Sequence, residues 1–348
     1  MKFTMTRQRT LIAGLSALVL IGSATVVGLY ARSEPDARST AATGAEGVQS
    51  GDPAAAAQPG SSGPSASASA SASASASASA SKAANAGAGV GRPPNGWPGP
   101  NNTGPGSTKL TNYSGSCTIT ANNTVIEAKT VNCMLNIKAT GVVIRKSKVN
   151  GPVHTDDAGK YSVTIEDSEV DGGRSAIAAV AYTNVTVVRS NIHGGQASVN
   201  CVLNCTIRDS WLHGQYMPPG ADWHLDAFLM NGGKNATLTR NTLDCQNVDS
   251  GCSAAVGLFG DFAPVQNVTF DGNLFIANEN QSYCAYAGAG DRKPYQADHI
   301  VFRNNTFQRG KTGKCAYHGA ITSFDPQAAG NVWQNNTWDD GSVLQSSN

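Results

Sequence analysis

From residue 142 onward, one short pattern of apolar and polar residues recurs eight times. Each copy ends on a Ser or Asn, which we call the anchor. The copies are Val142–Ser147, Val163–Ser168, Val185–Ser190, Cys205–Ser210, Ala236–Asn241, Val268–Asn273, Ile300–Asn305 and Asn331–Asn336. Successive anchors lie 21, 22, 20, 31, 32, 32 and 31 residues apart. Such a period indicates a protein built from stacked short units.

Two apolar columns flank the anchors. Three residues before each anchor stand Ile144, Ile165, Val187, Ile207, Leu238, Phe270, Phe302 and Trp333. Two residues after each anchor stand Val149, Val170, Ile192, Leu212, Leu243, Phe275, Phe307 and Trp338. Because no polar residue interrupts either column, both are predicted to point inward. The polar anchors between them suit a turn whose side chains stack and form hydrogen bonds.

Two short strands per copy, joined by a polar turn, are the units of a β solenoid. The pattern therefore predicts an all-β fold, a single-stranded parallel β-helix, over residues 96–348. A leucine-rich repeat is excluded because no helix-compatible stretch recurs between the strands. An antiparallel sandwich would need hairpin turns instead of copies that run in the same direction. The change from aliphatic to aromatic residues predicts that the last copies are wider or partly capped.

The first 95 residues have a different composition. Lys2, Arg7 and Arg9 precede an apolar run, so residues 1–31 are predicted to be a signal peptide or a membrane anchor. Residues 32–95 are rich in Ala, Ser, Gly and Pro, which predicts a disordered tether. We expect a monomer that is secreted or held outside the cytoplasm, with membrane contact only through the N-terminal segment.

The chain has eight cysteines and a formal net charge of +1. An even number of cysteines in an exported chain predicts disulfides among Cys117, Cys133, Cys201, Cys205, Cys245, Cys252, Cys284 and Cys315. Pairs of sequence neighbours are the simplest arrangement, and Cys252 with Cys284 is an alternative. A zinc site is not expected, because the chain has no Cys-x-x-Cys motif. Lys and Arg are scattered, so nucleic acid is not an expected partner.

The later copies are longer than the early ones by about ten residues. The additional residues fall in corresponding places, at 215–222, 247–253, 260–266, 278–282, 288–297 and 310–314. Insertions that stack along one edge of a repeat array build walls around an exposed strand surface, which is a usual place for binding. Neutral growth of the loops is the alternative interpretation.

The segment Asp222–Met230 carries the most suggestive chemistry. If it is a strand, Leu225 and its alternate neighbours point inward, and the outward side carries His224, Asp226, Phe228 and Met230. Ionisable groups beside aromatic rings are typical of a carbohydrate site, in which rings contact sugar faces and the ionisable groups move protons. His224 and Asp226 are therefore candidate catalytic residues, and Asp222, Trp223 and Phe228 are candidate substrate-binding residues. The alternative is an exposed ion pair with a structural role.

Three further carboxylates, Asp261, Asp291 and Asp325, follow later predicted strands. Stacked strands are about 4.8 Å apart, so carboxylates in neighbouring copies would approach the separations that glycosidases use. Asp261 is accordingly a candidate catalytic residue, and Asp291 a candidate substrate-binding residue. The same carboxylates could bind Ca²⁺, the one candidate cofactor, or cap backbone amides at the ends of strands.

The copies resemble the pectate-lyase-like right-handed parallel β-helix superfamily across about residues 118–348. More narrowly, the lead-in Trp97–Gly106 and the motif Leu212–Gln215 followed by His224–Asp226 are similar to exported bacterial β-helix proteins, most of which have no assigned activity. The superfamily is dominated by polysaccharide lyases and hydrolases, so the resemblance implies a right-handed β-helix and an extracellular polysaccharide partner. The chain lacks the Gly-His-Gly motif with Arg-x-Lys of polygalacturonases and a clear calcium and arginine set of pectate lyases.

These observations lead to two functional hypotheses. The first is a polysaccharide-cleaving enzyme. As a lyase it would use His224 as the base, Asp226 to orient that base, and Lys234 or Ca²⁺ to neutralise a uronate carboxylate. As a hydrolase it would use Asp226 and Asp261 as its pair of carboxylates. The second hypothesis is a non-catalytic module that binds a wall or environmental glycan.

Overall fold

The computed structural model describes residues 96–156, 158–246, 251–288, 290 and 292–346. The predicted signal or anchor segment at 1–31 and the predicted tether at 32–95 lie outside the described residues. The described residues form 26 β-strands, which we number β1–β26, and contain no helix. Accordingly, this part of the chain has no apolar helix of membrane-spanning length.

The first sheet has ten short strands, joined in the order β1-β4-β7-β10-β12-β14-β17-β20-β23-β26. From β7 onward each of these strands directly follows an anchor. The strands are β1 (Thr111–Asn112), β4 (Lys129–Val131), β7 (Lys148–Asn150), β10 (Glu169–Asp171), β12 (Asn191–His193), β14 (Trp211–Leu212), β17 (Thr242–Leu243), β20 (Leu274–Phe275), β23 (Thr306–Phe307) and β26 (Thr337–Trp338).

The second sheet has sixteen strands arranged in two rows. The row that precedes the anchors comprises β3 (Val125–Glu127), β6 (Val142–Arg145), β9 (Val163–Glu166), β16 (Gly233–Thr239), β19 (Val265–Asp271), β22 (Ala297–Arg303) and β25 (Val332–Gln334). The other row comprises β2 (Thr118–Ile119), β5 (Leu135–Ile137), β8 (Val153–His154), β11 (Val180–Val188), β13 (Ala197–Arg208), β15 (Leu225–Met230), β18 (Cys252–Leu258), β21 (Tyr283–Ala287) and β24 (Gly319–Thr322). The long strands β11 and β13 belong to both rows.

The strand register confirms the two predicted apolar columns. Ile144 pairs with Ile165, and the same column continues to Phe302 paired with Trp333. The column after the anchors likewise runs through every copy. Both columns are fully buried up to Phe302 and Phe307. All strand-to-strand pairings of the described residues are parallel, so the all-β arrangement is compatible with a parallel β-helix.

The buried anchors form a hydrogen-bonded ladder along the molecule. The backbone N–H of each anchor donates to the side-chain oxygen of the next, from Ser147 to Asn336, at 2.9 to 3.2 Å. The residue before each anchor has a left-handed φ of 46° to 66°, which turns the chain between its two strands. The predicted polar turn with stacked side chains is therefore confirmed.

Four disulfides join the cysteines in the order of the sequence. The pairs are Cys117–Cys133, Cys201–Cys205, Cys245–Cys252 and Cys284–Cys315. The alternative pairing of Cys252 with Cys284 is not formed. Four disulfides indicate an oxidising, extracellular environment.

Candidate functional site

A cavity of about 1110 Å³ lies against the outer side of the neighbouring strands β15, β18, β21 and β24. Its walls come from the segments that follow these strands. The insertion at 260–266 contributes Asp261, and the insertion at 288–297 contributes Arg292 and Lys293. These two insertions therefore do wall a strand surface, as predicted from their stacked positions.

Asp226 is a wall residue of the cavity and is completely buried. Neither of its carboxyl oxygens has a hydrogen-bond partner. Desolvation raises the pKa of Asp226 well above its usual value, and the nearby backbone N–H of Ala254 opposes this only in part. A carboxyl with a strongly raised pKa beside a cavity is the property expected of a catalytic acid.

Gly257 and Phe259 determine the space around the Asp226 carboxyl. A Cβ atom placed on Gly257 would lie 2.6 Å from Asp226 Oδ1 and 2.5 Å from Phe259 Cε2. The carboxyl and the edge of the ring therefore both lie over the Cα atom of Gly257. This close approach requires a glycine at that position, and it leaves the Phe259 ring beside the acid.

Two polar pairs face the same cavity. His224 is exposed, and its Nδ1 lies 2.9 Å from the hydroxyl of Ser253. Asp261 forms an ion pair with Lys293, with an Oδ1 to Nζ distance of 2.6 Å. The ammonium of Lys293 also lies 4.9 Å from the centre of the Phe259 ring. The cavity thus combines one isolated carboxyl with a second carboxylate that is held by a cation.

Five rings form what we call the aromatic band: Tyr317, His318, Tyr283, Tyr286 and Phe259. Successive ring centroids are 4.8, 5.4, 5.3 and 5.2 Å apart. Four of these rings line the cavity, and Tyr317 lies beside it with 65% of its surface exposed. Burial raises the pKa of Tyr286. An apolar strip with polar groups alongside is suited to a ligand that has both apolar and hydroxyl-bearing faces.

Three of the predicted site residues come together in this cavity, namely His224, Asp226 and Asp261. Phe228 does not, and its prediction as an outward-facing binding ring is wrong. Its side chain is fully buried in the main core, with its ring centroid 5.9 Å from that of Phe270. The adjacent residues Ala227 and Phe228 both belong to the core. The alternation of sides on which the prediction depended therefore does not hold between them.

The other predicted site residues lie elsewhere. Trp223 is half-buried against the small cluster formed by Leu225 and the Cys245–Cys252 disulfide. Asp222 is exposed and is not a wall residue of the cavity. Lys234 is exposed on β16, outside the cavity, and pairs through its backbone with Leu203 and Gln266. Asp291 lies outside the described residues.

Sequence reasoning missed Lys293 and the aromatic band. The usable signal for Lys293 was its position in a late insertion, 32 residues after the carboxylate that it pairs with. No group of three or more His, Cys, Asp or Glu residues in the described part is placed to share a metal ion. Comparison with family models, curated proteins and solved structures gives no match.

Proposed function

We propose that this protein is an exported glycoside hydrolase that cleaves an extracellular polysaccharide, with Asp226 as the general acid. The observation that carries the proposal is the buried, unpartnered carboxyl of Asp226 in a cavity of substrate size. We further propose that the chain is a right-handed parallel β-helix of the pectate-lyase-like superfamily, in keeping with its all-parallel sheets.

The hydrolase version is favoured over the lyase version by the residues that share the cavity. Both of its carboxylates, Asp226 and Asp261, line the walls. In the lyase version the neutralising cation was Lys234, which lies outside the cavity. Of the two cations that do line the cavity, Lys293 is paired with Asp261, and Arg292 is exposed. Two carboxyl groups in different environments suit the two roles in glycoside cleavage.

In this mechanism Asp226 is protonated in the free enzyme because desolvation disfavours its charged form. It gives its proton to the glycosidic oxygen as the bond to the anomeric carbon breaks. Asp261 is the ionised partner, held in position by Lys293, and acts on the sugar as a nucleophile or as the base for water. Because the Asp226 carboxyl is buried next to Phe259, the ring must turn aside when the glycan enters.

The test uses the full-length chain with a panel of neutral and uronate polysaccharides. New reducing ends without ultraviolet absorbance are expected, since hydrolysis creates no double bond. The variants Asp226→Asn and Asp261→Asn should abolish these products. Asp222→Asn removes an exposed carboxylate outside the cavity and should leave them unchanged.

The other outcomes are equally informative. Unsaturated products would support the lyase and overturn the hydrolase. Retention of a polysaccharide without any product would support the second hypothesis, a non-catalytic binding module. Full activity of Asp226→Asn would show that the proposed site is wrong.

A further inference from the structure

We infer that the glycan chain lies along the aromatic band and that Tyr317 is an outer binding subsite, which makes the protein selective for long neutral chains. This inference rests on the proposed function, because it assumes that the cavity binds a polysaccharide. To the proposed function it adds the direction in which the glycan lies, a binding residue outside the cavity and the class of substrate.

The aromatic band is continuous. It leads from Phe259, beside the Asp226 carboxyl, through Tyr286 and Tyr283 to His318 and Tyr317. No gap between successive centroids exceeds 5.4 Å, so a ligand can remain in contact with rings along the whole path. A sugar has an apolar face that packs on an aromatic ring, and a polymer presents such faces repeatedly.

The outer end of the aromatic band is joined to the strand that carries its inner rings. Tyr317 is 65% exposed, so much of its ring is open to a ligand. The Cys284–Cys315 disulfide ties its segment to β21, the strand that carries Tyr283 and Tyr286. The backbone N–H of Tyr317 also donates to the carbonyl of Gln281 at 2.9 Å. The segment that carries the exposed ring is therefore held near the inner rings before any ligand binds.

The charges of the cavity wall favour a neutral ligand. Burial favours the neutral form of Asp226, and Asp261 and Lys293 neutralise each other. Arg292 is the remaining side chain with a permanent charge among the described wall residues, and it is exposed. A chain of uronates would need several cations along its length, whereas a neutral glycan needs rings and hydrogen-bonding groups. The band supplies the rings.

The experiment measures binding by isothermal titration calorimetry with the full-length chain, with Asp226→Asn present in every protein to prevent cleavage. The probes are cello-oligosaccharides and xylo-oligosaccharides, from the disaccharide to the hexasaccharide, with oligogalacturonides as charged comparators. Affinity is expected to increase with chain length. Tyr317→Ala should weaken hexasaccharide binding by about three- to tenfold and leave disaccharide binding unchanged, because it removes one ring contact at the outer end of the band.

Tyr317→Phe is the matched control, because it keeps the ring and should retain the dependence on length. An equal loss in Tyr317→Phe and Tyr317→Ala, an unchanged length profile in Tyr317→Ala, or tighter binding of oligogalacturonides would each overturn the inference. Absence of binding by all the neutral probes would also overturn it. The proposed function is judged separately by the products from the polysaccharide panel, so the two failures can be told apart.

Discussion

The early copies, from Val142 to Leu212, and the late copies, from Ala236 to Trp338, share one strand register but differ in their anchors. In the early copies each Ser hydroxyl donates to a carbonyl two residues earlier in its own copy, at 2.7–2.8 Å. In the late copies each Asn amide donates to a carbonyl of the preceding copy, at 2.9–3.0 Å. Three of the Ser hydroxyls also lie 3.4–3.5 Å from a carbonyl on the neighbouring strand. The longer Asn side chain therefore adds a shorter hydrogen bond to the one that both kinds of anchor accept from the copy before.

The two apolar columns change one copy later, because Leu238 and Leu243 still flank the first Asn anchor. Aliphatic side chains fill the early copies, whereas rings stack in the late ones, with centroids 4.5 Å apart for Phe270 and Phe302 and 4.1 Å apart for Phe275 and Phe307. The cavity and its aromatic band also belong to the later part of the chain. A ladder with one additional short hydrogen bond per anchor and a bulkier core therefore accompany the copies that carry long insertions, next to the strand that carries Asp226.

The largest expected effect is on the rate of cleavage, and it should arise from only one of the two regions. Asp226→Asn removes the proposed proton donor and should lower the rate of polysaccharide cleavage roughly 10²- to 10⁴-fold. In the unaltered protein the rate should fall as the pH rises through the raised pKa of Asp226, because the acid must be protonated. Glu127→Gln changes an exposed carboxylate at the other end of the molecule and should have no effect. Assays of reducing ends across pH test both statements, and a rate that depends equally on Glu127 would contradict the comparison.

The next effect concerns the core. Phe302→Ala should destabilise the fold by about 4 kcal/mol and Ile165→Ala by about 3 kcal/mol, since both side chains are fully buried. Benzene should restore part of the lost stability only in Phe302→Ala, because the missing ring leaves a cavity lined by other rings. Denaturant unfolding with and without benzene is the measurement. Equal rescue of both variants would show that the two cores do not differ in this way.

A third effect compares two residues that stand three positions after their anchors, Asp171 and Asp244. Asp171 is half-buried and accepts a hydrogen bond from the backbone N–H of Gly173 at 2.8 Å. Asp244 is buried, its Oδ1 has no partner, and desolvation raises its pKa to about 7. Between its ordinary pKa of 3.8 and about 7 the unfolded chain loses this proton and the folded chain keeps it. The stability contributed by this group therefore falls as the pH rises through that range.

Asp244→Asn should consequently stabilise the protein by roughly 4 kcal/mol at pH 8, given about 1.4 kcal/mol per pKa unit, and have little effect near pH 3. Asp171→Asn should not stabilise it at either pH. Thermal unfolding of both variants at the two pH values provides the test. A gain for Asp244→Asn that is independent of pH would exclude this explanation.

The smallest effect compares the anchors themselves. Asn273→Ala should cost about 2 kcal/mol and Ser168→Ala about 1 kcal/mol, according to the number of buried groups that lose a partner. Asn273 accepts from the backbone and the amide of Asn241, whereas Ser168 accepts from the backbone of Ser147. Chemical denaturation can resolve a difference of this size. Equal costs would mean that the Asn ladder is no stronger than the Ser ladder.

The two apolar columns could be predicted because a repeated inward position shows itself in every copy. The row of strands that includes β15, β18, β21 and β24 is harder to predict from the sequence, because no anchor residue marks it. The sequence predicts a strand at Leu225–Met230 and marks β18, β21 and β24 only by the Asp residues that follow them. Within Leu225–Met230 strict alternation predicts the wrong side for Phe228, because the neighbours Ala227 and Phe228 are both in the core and a single sequence does not reveal such a break.

The site could be predicted only in part for a related reason. His224 and Asp226 are close in sequence, so one motif contains both. The contact between Asp261 and Lys293 depends on how two insertions fold beside each other, and the band depends on a disulfide that fixes Tyr317 near Tyr283. The burial of Asp226 is likewise set by Gly257 and Phe259, which lie on or after the neighbouring strand.

The last described turn has a consequence for self-association. Thr337, on the edge strand β26, forms an antiparallel bridge with Val343, and the N–H of Trp338 donates to the carbonyl of Ser342 at 2.8 Å. The guanidinium of Arg309 lies 4.4 Å from the centre of the Trp338 ring. An open edge of a parallel sheet would template the addition of another molecule. Through this antiparallel contact the chain occupies backbone groups at its own edge, so we expect it to hinder the addition of another molecule at this end of the sheet.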